Sequence, residues 1–286
     1  MTQSPVSNGA RPACRALFLV VIAQALVSCA FFYPGEAIRD LVRDRGWREV
    51  QIEAPPFILT GFVKPGAESA DTIHVYIEGD GRAWYGGRPP DDPTPTDPVA
   101  LRLALADGAP AVLYLARPCQ LTTRATKKAC ALPYWSSRRF SEEVVSSMNL
   151  AVEAFKKESG AKRLVIIGYS GGGAVAALIA ARRDDVALLI TVAGTLDHRV
   201  WTAHHEVPPL SGSLNPADQA ERLASIPQTH FVGLEDEIVP PLVAESYMRA
   251  LPSRKNARVV RIPGYDHPCC WVRDWPALLA RAGAGR

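Results

Sequence analysis

The residues with the clearest chemical potential lie in a short glycine-rich segment after an apolar run. Ser170 stands at the centre of residues 168–172 (GYSGG), after the apolar residues 164–167 and before an alanine-rich stretch typical of a helix. A G-x-S-x-G turn between strand and helix projects a serine hydroxyl into a site and directs the following backbone N–H groups toward it. A phosphate cradle is the alternative, but neither G-x-x-x-x-G-K-[ST] nor G-x-G-x-x-G is present.

A serine hydroxyl is a weak nucleophile, so it needs a general base and an acid that orients that base. Two later segments offer these groups directly after apolar, strand-like runs. Asp236 lies within residues 233–240 (GLEDEIVP), and His267 ends residues 263–267 (PGYDH). Because functional loops of a parallel sheet gather at the carboxyl ends of its strands, we expect the three side chains to meet there.

Together, these three segments resemble the catalytic blocks of the α/β-hydrolase superfamily, and the resemblance spans about residues 50–286. It implies Ser170 as nucleophile, Asp236 as acid and His267 as base, in that chain order. Asp197, which follows another apolar run, is the alternative acid because some members place the acid there.

The resemblance also implies an oxyanion hole. One donor is the N–H of Gly171, and the second comes from a loop after an earlier strand. Residues 78–81 (EGDG) occupy the place of the H-G-x-G loop of related esterases, with Glu78 in place of the usual histidine. We predict the N–H of Asp80 as the second donor, with that of Gly81 next.

Two segments that do not fit the strand and helix pattern are expected to shape a substrate site. Residues 82–98 are rich in proline, which favours an extended loop, and residues 195–224 lie where hydrolases of this type insert a cap. Several aromatic residues are candidates for lining the pocket, with core packing as the alternative for each. They are Trp84, Tyr85, Trp135, Trp201 and Trp271.

Composition and motifs give no indication of a cofactor or a nucleic-acid partner. The adjacent pair His204–His205 is a weak metal signal that no H-E-x-x-H or C-x-x-C motif supports, so no metal or organic cofactor is expected. The net charge of +3 falls to +1 without Arg11 and Arg15. So small a charge gives no electrostatic basis for binding nucleic acid.

Residues 1–28 resemble a bacterial lipoprotein signal peptide. Two arginines precede about a dozen apolar residues, a run of secretory length but too short to span a bilayer. The run ends in residues 26–29 (LVSC), similar to the L-x-[small]-C signal. The resemblance implies removal of residues 1–28 and lipidation of Cys29 through a thioether, with palmitate among the acyl chains.

Ala30 follows the cysteine in place of the aspartate of inner-membrane retention, which favours the outer membrane, facing the periplasm. An ordinary cleaved signal and an uncleaved anchor are the alternatives.

Export places the remaining cysteines in an oxidising compartment, where disulfides form. Cys119, Cys130, Cys269 and Cys270 allow three pairings. We favour Cys119–Cys130, which closes a short loop. Cys269 and Cys270 then form a vicinal disulfide or remain thiols, two residues past His267.

Apolar runs alternate with helical segments, which predicts an α/β fold with a mostly parallel twisted sheet and helices on both faces. The 48% hydrophobic content suffices for a large core. We expect one catalytic domain at residues 50–286, after a lipid-anchored tether and entry segment at residues 29–49. The predicted strands are 50–54, 57–63, 72–77, 111–116, 163–168, 186–193, 228–233 and 257–262, and the predicted helices are 97–107, 141–159, 171–183, 240–251 and 274–283.

These features predict a serine hydrolase that cleaves a small-molecule acyl substrate, a carboxylic ester, through an acyl-enzyme. An acyltransferase or a peptidase with the same three residues is one alternative, because the fold does not choose among these reactions. A non-catalytic binding lipoprotein with a hydrolase fold is another.

Overall fold

The structure is a computed structural model that describes Met1 and residues 34–67, 70–84 and 88–284. The predicted signal peptide, the lipidation candidate Cys29 and the pocket candidate Tyr85 lie outside the described residues. Within them, one sheet has the strand order β1-β2-β4-β3-β5-β6-β7-β8. The strands are β1 (Arg48–Ala54), β2 (Phe57–Val63), β3 (Thr72–Ile77), β4 (Val112–Leu115), β5 (Arg163–Tyr169), β6 (Val186–Val192), β7 (Gln228–Gly233) and β8 (Ala257–Ile262).

The sheet is mostly parallel, as predicted. β2 pairs antiparallel with β1 and β4, and every other pairing from β4 to β8 is parallel. Each predicted strand agrees with an observed one to within two residues. Agreement is this close because the central strands β4, β5 and β6 are predominantly apolar, as expected where both faces of a sheet are covered.

Helices cover both faces of the sheet. The α-helices of the described residues are α1 (Pro34–Arg43), α2 (Val99–Leu105), α3 (Glu142–Ser159), α4 (Gly171–Ala180), α5 (His198–His204), α6 (Ala220–Leu223), α7 (Pro241–Ala250) and α8 (Trp271–Ala282). Alternate residues of β5 face opposite sides: Leu164 and Ile166 join the buried cluster under α3, α4 and α7. Val165 and Ile167 join the cluster under α1, α2 and α8. The predicted fold class is confirmed.

Three helices were not predicted. α1 lies within the predicted entry segment, and its Ile38 and Val42 are buried one turn apart on the face toward the sheet. α5 and α6 lie in the segment 195–224, which was expected to fall outside the strand and helix pattern, where hydrolases of this type insert a cap. Short 3₁₀ helices complete the connections at Thr126–Ala129, Leu132–Trp135 and Pro216–Gln219.

None of the helices in the described part of the chain is long and apolar enough to cross a membrane.

A disulfide joins Cys119 to Cys130, whose Cα atoms lie 5.5 Å apart. Cys119 is buried, and Cys130 packs against the same core cluster. The bond closes the loop that follows β4. Cys269 and Cys270 are joined to each other.

Replacing both Cys119 and Cys130 with serine is expected to lower the free energy of unfolding by about 3 kcal/mol, because the unfolded chain regains the entropy of an open loop. Urea denaturation followed by tryptophan fluorescence measures the change. The matched control is a Cys269→Ser/Cys270→Ser variant, which opens a bond between sequence neighbours and should shift the midpoint less. An unchanged midpoint in the first variant would contradict the expectation.

Candidate active site

Ser170 occupies a sharp turn between β5 and α4. Its backbone has φ 52° and ψ −124°, a left-handed conformation that costs a non-glycine residue about 1–3 kcal/mol. The neighbouring glycines are required by close packing: a Cβ on Gly168 would clash with the Gly172 carbonyl, and one on Gly172 with the Ile77 carbonyl. The sequence therefore forces the serine into a strained turn where a strand and a helix meet.

The structure brings Ser170, His267 and Asp236 together. His267 Nε2 lies 3.0 Å from Ser170 Oγ, and His267 Nδ1 lies 2.9 Å from Asp236 Oδ2. The three residues follow β5, β7 and β8, so their loops meet at the carboxyl ends of parallel strands. An imidazole held in this way can accept the serine proton at Nε2 while its Nδ1–H donates to the carboxylate.

The loop after β7 fixes the Asp236 carboxylate. Its side chain is fully buried, and Oδ1 accepts hydrogen bonds from Ile238 N at 2.9 Å and Val239 N at 2.7 Å. These two bonds leave Oδ2 for His267. The loop after β7 therefore orients the carboxylate independently of its hydrogen bond to His267.

Asp197, the alternative acid, lies elsewhere and has other partners. It is the N-cap of α5, where Oδ1 accepts from Arg199 N at 3.2 Å and from Asn215 Nδ2 at 2.9 Å. Its Oδ2 accepts from Ser246 Oγ at 2.7 Å. The geometry gives Asp197 a structural position and leaves Asp236 as the carboxylate beside His267.

The backbone carbonyl of His267 is also held. It accepts hydrogen bonds from Trp271 Nε1 at 2.8 Å and from Tyr169 Oη at 3.2 Å. The next turn is closed by Asp266 Oδ1, which accepts from Cys269 N at 2.7 Å. The bonded pair Cys269–Cys270 thus lies in the segment that positions the imidazole.

The loop after β3 lies against the serine turn. A Cβ on Gly79 would come within 3.3 Å of Ser170 Cβ, and one on Gly171 would clash with the Asp80 carboxylate. No acceptor among the described residues takes a hydrogen bond from Asp80 N or Gly81 N, and both residues line the same cleft as Ser170. Unpaired N–H groups beside the first turn of α4 are what an oxyanion site requires.

Two arginines anchor the Asp80 side chain. Arg139 Nη1 lies 2.6 Å from Oδ2 and Arg117 Nη1 lies 3.1 Å from Oδ1, while Arg117 Nη2 donates to the Arg139 carbonyl. Burial raises the pKa of Asp80, but the two guanidinium groups outweigh burial and hold it below its usual value. Neither arginine could be predicted, because they lie 37 and 59 residues from Asp80 and belong to no motif.

Glu78 holds the same loop from behind. Its buried carboxylate accepts hydrogen bonds from Gly79 N at 2.8 Å, Tyr114 Oη at 3.2 Å, and Ala100 N and Leu101 N at 3.4 Å. It therefore ties the loop to β4 and to the start of α2. Burial raises the pKa of Glu78 to about 7.

A Glu78→Gln variant tests this raised pKa. Since the folded state binds the proton more tightly than the unfolded state, the contribution of Glu78 to stability is full below pH 4.5 and is lost as the pH rises toward 7. The wild-type free energy of unfolding, minus that of the variant, is expected to fall by about 3 kcal/mol over this window. Urea denaturation at pH 4.5 and 7.5 measures it, and a constant difference would show that Glu78 keeps an ordinary pKa.

A cleft of about 430 Å³ opens above Ser170 and His267. Among the predicted aromatic candidates, Trp84 and Trp201 line it, and Trp84 is largely exposed at its edge. Trp135 and Trp271 are buried away from the cleft and pack in the core clusters. The segments 82–98 and 195–224 therefore each contribute one tryptophan to the wall of the cleft.

No protein-family model matches the chain, and no curated protein matches its sequence. Solved structures do match it. The Pyrococcus furiosus esterase Pf2001 has a TM-score of 0.59 at 14% identity, with 85% of this chain and 93% of that chain covered. Est1E from Butyrivibrio proteoclasticus, in a structure with ferulic acid bound, has a TM-score of 0.58 at 14% identity, with 82% and 99% covered. The chain has the α/β-hydrolase fold.

A third match is XC6422 from Xanthomonas campestris, described as an α/β serine hydrolase without a lid. Its TM-score is 0.53 at 15% identity, with 84% of this chain and 93% of that chain covered. Identities this low show the α/β-hydrolase fold alone, so any activity must be argued from the residues of this chain.

Proposed function

We propose that the protein is a serine hydrolase that cleaves carboxylic esters through an acyl-enzyme. The observation that carries the proposal is the hydrogen-bonded series Ser170 Oγ, His267 Nε2 and Nδ1, and Asp236 Oδ2, with bonds of 3.0 and 2.9 Å. The strained turn at Ser170 and the cleft above it support the same reading. So do the esterase and serine hydrolase names of solved structures that share the fold.

In the proposed reaction, His267 Nε2 removes the proton from Ser170 Oγ as Oγ attacks the ester carbonyl carbon. The N–H groups of Gly171 and Asp80 donate hydrogen bonds to the oxyanion. Collapse of the intermediate breaks the bond to the alcohol, which takes the proton from His267. His267 then takes a proton from a water molecule that attacks the acyl-enzyme, and the protonated His267 returns this proton to Ser170 Oγ as the acid is released. Asp236 orients His267 and stabilises its charged form.

Labelling by a fluorophosphonate tests the activated serine directly. Intact-mass measurement is expected to show one adduct on the purified protein and none on Ser170→Ala. Ester hydrolysis and transfer to an added alcohol or amine are then compared on the same preparation, which separates a hydrolase from an acyltransferase. The absence of an adduct on folded protein would overturn the proposal and favour a non-catalytic binding role.

We also propose that the protein is anchored in the cell envelope by lipid on Cys29, with the catalytic domain facing the periplasm. The support is the sequence of residues 1–29. A bacterial host fed an alkyne analogue of palmitate is expected to label the wild-type protein and not a Cys29→Ala variant. Equal labelling of the two, or none of either, would contradict the anchor.

A further inference from the structure

Two buried arginines beside the candidate oxyanion site share a single carboxylate. The side chains of Arg117 and Arg139 are 4% and 7% exposed, and both bond to Asp80. Glu78, the other buried carboxylate of this loop, is bonded to backbone N–H groups and Tyr114 instead of either guanidinium. Asp80 is thus the only carboxylate among the described residues that is hydrogen-bonded to these two guanidinium groups, and a buried charge that is only partly paired is costly.

The hydrogen bonds of Arg139 show which of its nitrogens lacks an acceptor among the described residues. Nε donates to Ser136 O at 2.7 Å and Nη1 to Asp80 at 2.6 Å, while Nη2 has no acceptor among the described residues. Arg139 lines the cleft together with Ser170, and its Cζ lies 5.9 Å from the ring centre of Trp201, which also lines the cleft. Two of its three nitrogens are committed to the protein, so Nη2 is the donor available to a ligand.

Arg82 adds a second cation to the same cleft. Its Nε donates to Thr94 O at 3.0 Å and its Nη2 to Asp92 O at 3.2 Å, and both acceptors are neutral carbonyls. No carboxylate in the described part of the chain pairs with Arg82. The cleft carboxylate Asp97 is offset by Arg102 at 2.9 Å.

The remaining charges of the cleft do not reverse this balance. Asp80 offsets one of its two arginines, and Asp236 faces His267. Burial raises the pKa of Glu78 to about 7, so this carboxyl is about half ionised at neutral pH, and its charge acts on Arg117. The wall of the cleft that holds Arg139 and Arg82 is therefore electropositive.

We propose that Arg139 Nη2, assisted by Arg82, forms a subsite for a carboxylate on the ester substrate, so that the enzyme prefers esters carrying a negative charge. This inference rests on the proposed ester hydrolase function. A guanidinium is suited to this task because it keeps its charge and presents planar N–H donors that match a carboxylate. The bound carboxylate completes the pairing of the buried arginines.

Two pairs of esters test the proposal and show on which side of the ester bond the carboxylate is recognised. The first carries it on the acyl side: the mono-4-nitrophenyl ester of adipic acid, against the same ester with the free carboxylate replaced by a primary amide. The second carries it on the alcohol side: 3-acetoxybenzoate against 3-acetoxybenzamide. Each pair differs in charge and hardly in shape, so the ratio of kcat/KM within a pair measures recognition of the carboxylate alone.

The wild-type protein is expected to prefer the charged ester in at least one pair, by about 10- to 100-fold, the range of a hydrogen bond to a charged group. Arg139→Gln should abolish the preference, and Arg139→Lys should retain part of it. Arg138→Gln is the matched control, because Arg138 pairs with Glu143 and does not line the cleft. Thermal unfolding verifies that each variant is folded.

Either of two kinetic results would contradict the proposal. If neither pair shows a preference, or if Arg139→Gln slows charged and neutral esters alike, the arginines serve only the oxyanion loop and the proposal is wrong. Calorimetric titration of Ser170→Ala with 3-acetoxybenzoate, 3-acetoxybenzamide, adipate and adipamide gives a second readout that does not require catalysis. Tighter binding of a carboxylate, lost in Ser170→Ala/Arg139→Gln, would support the subsite even if the proposed hydrolysis failed. Equal binding within both pairs would overturn it.

Discussion

A Ser170→Ala variant is expected to lose hydrolysis of 4-nitrophenyl acetate, with kcat falling on the order of 10⁵-fold. The reason is that the variant keeps the cleft, the oxyanion loop and His267 but has no group that can form the acyl-enzyme. Initial rates measured at saturating substrate, corrected for spontaneous hydrolysis, give the ratio directly. A His267→Ala variant should lose about as much, and the double variant little more, because residues that act as a unit are not additive.

Stability serves as the control for this result. The only side-chain hydrogen bond of Ser170 among the described residues is to His267, so alanine at this position should leave the midpoint of unfolding almost unchanged. Retention of a tenth or more of the wild-type rate in folded Ser170→Ala would show that another group performs the chemistry.

Replacing Asp236 with asparagine is expected to lower kcat about 10⁴-fold while leaving the fold intact. The amide keeps the size of the carboxylate, but it cannot stabilise the imidazolium, and its NH₂ group favours the wrong tautomer of His267. The measurement is kcat over pH 5–9 for wild type and variant. Full activity in the variant would remove Asp236 from the mechanism.

Asp197→Asn is the matched control, because Asp197 was the alternative acid and is also a buried carboxylate. It caps α5 and bonds Ser246, so its replacement should cost stability, about 1 kcal/mol for a weakened cap, and leave kcat unchanged. If Asp197→Asn were inactive and Asp236→Asn kept its activity, the acid would be Asp197, in the loop after β6.

The fold was predictable because its signals are local. Strand β4 is an apolar run and β5 is one after its first residue, Arg163, and the turn at Ser170 is marked by glycines that close packing requires. Asp236 and His267 could be nominated for the same reason, since each follows a strand in a short recognisable segment. Helix α1 was missed although the spacing of Ile38 and Val42 was readable.

The ion cluster around Asp80 could not be predicted. Arg117 and Arg139 reach it from connections far along the chain, and nothing in their neighbouring residues indicates a buried partner. The position of Glu78 was identified, but its role depends on α2 and β4 meeting behind the loop. Trp135 and Trp271 show the same limit, since an isolated aromatic residue can face a cleft or a core with equal ease.

The contact between the Asp80 carboxylate and the backbone of Gly171 has a consequence for how this chain can evolve. Any side chain at position 171 would displace the carboxylate, and the two arginines that hold it would have to move as well. The two candidate oxyanion donors are thus far apart in sequence but coupled in space, and substitutions at positions 80 and 171 should be strongly epistatic. Lineages that change one of these residues are expected to carry a compensating change at the other or at the arginines.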